Sequence, residues 1–267
     1  MKIVVVVQAR TGSSRLPGKV LLPVDGVPLL SAMLRRVLSA RTPFLLLVAT
    51  TLKSEDDPIV ELCRNLGVDC YRGHPTDLLD RHYRAARRYG AEVVVKIPSD
   101  CPLIDPAIID RVLSHYISNC DTYDYVSNLH PATYPDGNDV EVIRFEALEQ
   151  AFCNAKRAFE REHTTPYIWE RPERFRLANV TWQSGLDYSM THRFTLDYEG
   201  DYQLVRRVFE RLGGPRRIFG LDDILSLVRS EPELLRLNAE YAGVNWYRHH
   251  LNELGHISER GEAFVPA

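Results

Sequence analysis

A short apolar run, Ile3-Val4-Val5-Val6-Val7, leads directly into Gln8-Ala9-Arg10-Thr11-Gly12-Ser13-Ser14-Arg15-Leu16-Pro17-Gly18-Lys19. The β-branched run reads as a buried strand of a parallel sheet, and Gly12, Pro17 and Gly18 punctuate a loop at its carboxyl end. The loop carries the fixed cations Arg10, Arg15 and Lys19 together with the hydroxyls of Ser13 and Ser14. Glycines let a backbone approach a ligand, N–H and hydroxyl groups donate hydrogen bonds, and cations neutralise charge, which together suit a polyphosphate. A nucleoside triphosphate is the expected ligand; a surface loop that is merely basic is the alternative. The spacing is not that of a Walker A loop. Five residues separate Gly12 from Gly18-Lys19 where four are required, and Val20 stands where Ser or Thr would hold magnesium. The loop is not G-x-G-x-x-G either, so a dinucleotide fold has no support.

Two acidic positions could turn binding into a reaction. Asp100, in Ile97-Pro98-Ser99-Asp100-Cys101-Pro102-Leu103-Ile104, follows a predicted strand over 93–97. A carboxylate at the mouth of a parallel strand can offer oxygens to magnesium beside a phosphate, but it can equally cap the next helix. Asp197, in Phe194-Thr195-Leu196-Asp197-Tyr198-Glu199-Gly200-Asp201, ends another apolar stretch before an amphipathic helix, with Asp201 placed as its cap. Arg193, beside that stretch, has the forked guanidinium that clamps carboxylates bidentately.

The elements that must hold these groups alternate. Strands are expected over 3–7, 44–48, near 70–71 and over 93–97, with helices over 29–38, 59–66, 78–89 and from Pro106 onward. Such alternation implies an α/β fold whose parallel sheet is covered on both faces, with ligands at the carboxyl ends of its strands. From about 127 to 180 the prolines multiply, around a short strand near 140–143 and a helix near 147–155, which reads as a mixed α+β insertion. Sheet character returns over 194–196, and a tail over about 215–267 reads as helical or irregular.

Composition narrows the classes. With 33 basic and 36 acidic residues the net charge is −3, so no sequence-independent nucleic-acid binder is implied. No apolar stretch reaches the roughly 20 residues of a membrane span, and the short run before Gln8 and Arg10 is no signal peptide. The five cysteines form no C-x-x-C pair and read as reduced thiols of a cytoplasmic protein.

The segment from Gln8 to Lys19 resembles the signature of the cytidylyltransferases that make CMP-activated acidic sugars. These include the acylneuraminate and ketodeoxyoctonate enzymes, and the likeness is greatest to the branch of spore-coat polysaccharide synthesis proteins. The resemblance implies one nucleotidyltransferase domain over 1–267 with a three-layer, nucleotide-diphospho-sugar transferase-like, mostly parallel sheet. It implies CMP transfer from CTP to an acidic sugar or related anionic acceptor, with release of pyrophosphate, for polysaccharide biosynthesis. Lys19, Arg10 and Asp100 become catalytic, and one or two Mg2+ ions fall to Asp100 and Asp197. The nucleotide falls to Gln8, Ala9, Arg10, Gly12, Ser13, Ser14, Arg15 and Lys19, with Thr50, Arg72, Gly73, Asp77 and Arg81 near base and ribose. Asp77 as a helix cap and Arg81 as its i,i+4 partner remain an equal alternative. Gly137, Asp139, Glu141, Arg161, Glu162, His163 and Arg193 become the acceptor pocket, and a homodimer is expected. The chain departs from the family at Ser99, where glycine is usual, and at Tyr198-Glu199-Gly200, which replaces Thr-Pro-Glu. A nucleotide-sugar-dependent glycosyltransferase and a non-catalytic nucleotide-binding relative are the alternatives.

Overall fold

Alternate residues of the first strand leave on opposite faces, and both faces are covered. Ile3, Val5 and Val7 join one buried apolar cluster, while Val4 and Val6 join another. The computed structural model, which describes residues 1–244 and Leu254, shows the frame that produces this burial. Strands β1 (Ile3–Gln8), β4 (Leu45–Thr51), β5 (Asp69–Gly73) and β6 (Val93–Pro98) run parallel. A small hairpin, β2 (Pro23–Val24) and β3 (Val27–Pro28), lies outside that sheet and turns on Asp25 and Gly26, both at positive φ. Strands β7 (Tyr125–Ser127), β8 (Glu141–Arg144) and β9 (Leu177–Asn179) extend the sheet to seven strands in the order β5-β4-β1-β6-β8-β7-β9. Only β8 runs against its neighbours β6 and β7.

Helices α1 (Leu29–Val37), α2 (Asp57–Leu66), α4 (Pro106–Ser118), α8 (Glu199–Arg211) and α9 (Leu221–Ser230) supply the first cluster. Helices α3 (Leu78–Arg88), α5 (Phe145–Asn154), α6 (Ala158–His163) and α7 (Pro166–Trp169) supply the second. Helix, sheet and helix therefore form three layers, the α/β architecture expected from the alternating elements. The segment read as an insertion gives its strands to the same sheet.

The expected strand over 194–196 is not one. This stretch is extended, but Phe194 N–H donates to the Asp136 carbonyl (2.8 Å) and Leu196 N–H to the Asp100 carbonyl (2.8 Å). With β8 already paired to β6, it crosses the loops at the sheet's end rather than entering the sheet. Of the predicted tail, the described part holds α9 and two short 3-10 turns; the remainder lies outside the described residues.

Candidate active site

Strand order decides what meets at the carboxyl edge. The exits of β1, β6 and β7 and the entry of the antiparallel β8 lie side by side. The Gln8–Lys19 loop, Asp100, Asn128 and the Asp139–Glu141 segment thus surround one cavity of about 480 Å3. The loop is fastened from behind. Gly18 takes the left-handed conformation (φ 68°) and donates to the Thr11 carbonyl (2.9 Å). Thr11 in turn donates through its N–H (2.7 Å) and hydroxyl (2.8 Å) to the buried Asp56 carboxylate. Burial opposes the Asp56 charge, but hydrogen bonds from Thr51 and Thr11 outweigh it and hold this carboxyl below its usual range.

Lys19 is the centre of the arrangement. Its Nζ lies 3.1 Å from Asp100 Oδ2 and 2.9 Å from Asp197 Oδ1, so one ammonium joins both carboxylates. Burial works against the Lys19 charge, yet Asp100 and Asp197 overcome it and raise its pKa. Burial likewise opposes the Asp197 charge, and Lys19 and Arg15 (2.6 Å from Asp197 Oδ1) keep that carboxyl well below the ordinary value. The backbone registers the two acids: Leu196 N–H and Thr195 Oγ1 both donate to the Asp100 carbonyl. Buried Arg36 on α1 donates to the carbonyls of Ile104 (2.9 Å), Leu103 (3.2 Å) and Phe219 (2.7 Å), fixing the turn that presents Asp100.

Behind Asp197 lies a second charged set. Arg193, 3% exposed, pairs with Asp136 (3.0 Å), Asp197 (3.1 Å) and Asp201 (3.0 Å). Asp201 is fully buried and also accepts from Asp197 N–H (2.9 Å), Tyr198 N–H (3.0 Å) and Asn238 Nδ2 (2.8 Å). It is therefore more than a helix cap, since it orients both the arginine and the acid.

The cavity gathers many of the nominated residues but not all. Gln8, Ala9, Arg10, Ser13, Ser14, Arg15 and Lys19 line it, as do Arg81, Asp100 and Asp197. So do Asp139, Glu141, Glu162, His163 and Arg193. Gly12, Thr50, Arg72, Gly73, Asp77, Gly137 and Arg161 do not. Thr50 is buried within β4, and Arg72 donates to the Thr51 (2.8 Å) and Lys53 (2.7 Å) carbonyls while pairing with Asp57. Asp77 caps α3 through Asp80 N–H (2.9 Å) and pairs with Arg161 (2.5 Å), which also donates to the Phe152 and Ala155 carbonyls. Gly73 and Gly137 are close-approach points: a Cβ would meet Tyr71 Cε1 at 2.7 Å and the Phe194 carbonyl carbon at 2.7 Å, respectively. Arg81 is turned onto the carbonyls of His74 (2.7 Å) and Pro75 (2.9 Å) instead of onto Asp77. Buried Glu141 pairs with Lys96 and accepts from Tyr125 Oη (2.7 Å), and burial together with Asp100 pushes Asp139 up to about 7.

Sequence reasoning missed Asp56, Asp136, Lys96 and the positioning role of Asp201. Asp136 directly precedes the nominated Gly137 and lies three residues from Asp139, and those neighbours were the available signal. Asp56 and Lys96 find Thr11 and Glu141 45 residues away, while the role of Asp201 depends on how the nearby Arg193 and Asp197 fold back onto it.

The donor set fits a divalent cation. Asp100 and Asp197 already share one cation, Lys19 Nζ, on the cavity wall. Among the described residues no group of three or more His, Cys, Asp and Glu could hold a metal. Magnesium is commonly bound in this way, by one or two carboxylates with substrate phosphates completing the shell.

A family profile for cytidylyltransferases matches residues 4–223. An uncharacterised protein of Methanocaldococcus jannaschii is 43% identical over 177 residues, covering 66% of this chain and 71% of that protein. The spore coat polysaccharide biosynthesis protein SpsF of Bacillus subtilis is 26% identical over 242 residues, 86% of this chain and 95% of its own. The solved structure of a cytidylyltransferase from Leptospira borgpetersenii superposes with a TM-score of 0.83 at 30% identity, covering 88% of this chain and 97% of that one. The match sets aside the glycosyltransferase and non-catalytic alternatives, and the chain belongs to the cytidylyltransferase family of nucleotidyltransferase enzymes.

Proposed function

We propose that the chain transfers CMP from CTP to a hydroxyl of a sugar-like acceptor, with release of pyrophosphate, as a step in polysaccharide biosynthesis. The observation that carries this reading is the single Lys19 ammonium shared by Asp100 and Asp197 at the end of a basic, serine-bearing strand-exit loop. The acceptor oxygen attacks the α-phosphorus, the bond from that phosphorus to the bridging oxygen breaks, and the hydroxyl proton leaves to solvent. Arg10, Arg15 and Lys19 neutralise the triphosphate and the departing pyrophosphate, while Ser13 and Ser14 supply hydrogen-bond donors. Asp100 and Asp197 would hold Mg2+, which supplies positive charge against the phosphates. Arg193 and Asp201 keep Asp197 in place, so these two act as positioning residues. The biosynthetic setting takes its support from the likeness to SpsF, and a homodimer in the cytoplasm belongs to the same reading.

Pyrophosphate release from CTP and Mg2+ across a panel of sugar acceptors tests the proposal. Asp100→Ala should lower the rate by at least about 100-fold, the scale expected when a group that organises transition-state charge is lost. Near-normal turnover in that variant would contradict the assignment.

A further inference from the structure

Residues 238–244 carry no motif of their own and lie beyond the stretch that the family profile matches, yet they reach the site at three points. Asn238 is buried and donates through Nδ2 to the Arg193 carbonyl (2.9 Å) and to Asp201 Oδ1 (2.8 Å). Asp201 is the carboxylate that holds the Arg193 guanidinium and accepts from the Asp197 and Tyr198 N–H groups. The Val244 carbonyl accepts from Arg193 Nη1 (3.2 Å), and Val244 itself lines the cavity. Tyr241 stacks on Tyr198 with ring centroids 3.8 Å apart and planes 6° apart, and the Arg15 guanidinium sits 5.5 Å from the centroid of that same Tyr198 ring. The chain beside Asp197 is shaped to receive this segment. Where it departs from Thr-Pro-Glu, Tyr198 supplies the ring for Tyr241, and Gly200 supplies room, because a Cβ there would overlap the Leu237 carbonyl oxygen. A backbone carbonyl cannot swing aside as a side-chain tip can, so a larger residue at 200 would displace the segment at its base.

We propose that Asn238 and Tyr241 are positioning residues of the donor site: Asn238 sets Asp197 through Asp201, and Tyr241 sets Arg15 through Tyr198. The inference rests on the donor reading above, since it concerns the groups assigned there to Mg2+ and the triphosphate. Asp201 Oδ1 is shared by Asn238 Nδ2 and Arg193 Nε, so loss of the amide loosens the carboxylate that fixes the Asp197 N–H. Groups that orient a metal-binding side chain govern roughly 10–100-fold of metal affinity. Loss of the Tyr241 ring unseats Tyr198, against which Arg15 lies while it pairs with Asp197 (2.6 Å).

Calorimetric titration of the full chain with CTP, with and without Mg2+, tests the proposal, with thermal melts of the same samples reporting the fold. Asn238→Leu keeps the volume and removes the donors. It should forfeit roughly tenfold of the affinity that Mg2+ adds, while Mg2+-free CTP binding stays within about twofold of wild type. Tyr241→Ala should weaken CTP several-fold with or without Mg2+, and Tyr241→Phe, which keeps the stack, should bind as wild type does. Equal losses with and without Mg2+ in Asn238→Leu would mark a merely structural role. That result, or wild-type binding by Asn238→Leu and Tyr241→Ala alike, overturns the inference and leaves the donor reading intact. If Asn238→Leu does not fold, the Tyr241 pair decides, and equal binding by Tyr241→Ala and Tyr241→Phe overturns the inference. A wild-type chain that binds no CTP, or gains nothing from Mg2+, overturns the donor reading and this inference with it.

Discussion

At the scale of single residues the site is a set of charges that hold one another. Lys19 is kept ionised against burial by Asp100 and Asp197, and Asp197 is kept ionised by Lys19 and Arg15. A triphosphate bound as proposed would compete for those same cations, which the free protein holds on its own carboxylates. Asp136 and Asp139 are the exceptions: burial and then Asp139 push the Asp136 carboxyl up, and burial and then Asp100 raise Asp139 to about 7. The folded-state pKa of Asp139 lies above the unfolded one, so the stability it confers is complete below the unfolded value and is lost as pH rises through the folded value. Between about pH 4 and pH 7 the native state should lose stability through this group, and Asp139→Asn should flatten that slope in urea melts. An unchanged slope would show that Asp139 titrates normally. The sequence displayed Arg10, Ser13, Arg15, Lys19, Asp100 and Asp197 as candidates because each sits at a strand end or in a dense polar loop. It did not display that Arg161 and Arg72 are spent on structure, since their partners Asp77 and Asp57 are chosen by tertiary packing.

At the scale of elements, the long buried strands and amphipathic helices were legible because their patterns repeat over several residues. Strand β6 and helix α3 fall where apolar content and helical spacing put them. Strands β7 and β9 are three residues each, too short to show a period, and exist because each finds a neighbour: β7 pairs with β8, and β9 with β7. The reverse error arose at Phe194-Thr195-Leu196, which is apolar enough for a strand but spends its N–H groups on the loop carbonyls of Asp136 and Asp100 at the sheet's end. That extended stretch touches the loop before β8 at Gly137, whose φ is 102°. Gly137→Ala adds a methyl 2.7 Å from the Phe194 carbonyl carbon, on a backbone that side chains rarely adopt. It should destabilise the protein by about 1–3 kcal/mol in denaturant titrations, with KM for the acceptor rising as Asp136 and Asp139 shift. A variant of wild-type stability would mean that the two loops do not pack as described.

At the scale of the molecule, a net charge of −3 conceals a strong local division. The sheet order places a cationic loop on β1 beside the carboxylates at the ends of β6 and β8 in one cavity. Composition alone could exclude a sequence-independent nucleic-acid binder but could not show this division, because it depends on strands distant in sequence becoming neighbours. This cavity is proposed to take CTP together with a divalent ion on Asp100 and Asp197. Calorimetric titration of the protein with CTP, UTP, ATP and GTP, with and without Mg2+, tests it most directly. CTP should bind at one site per chain, more tightly than the other three, and weaken by roughly tenfold or more when Mg2+ is omitted or Asp100 is changed to Asn. Equal affinity for all four nucleotides, or CTP binding indifferent to both Mg2+ and Asp100→Asn, would contradict it.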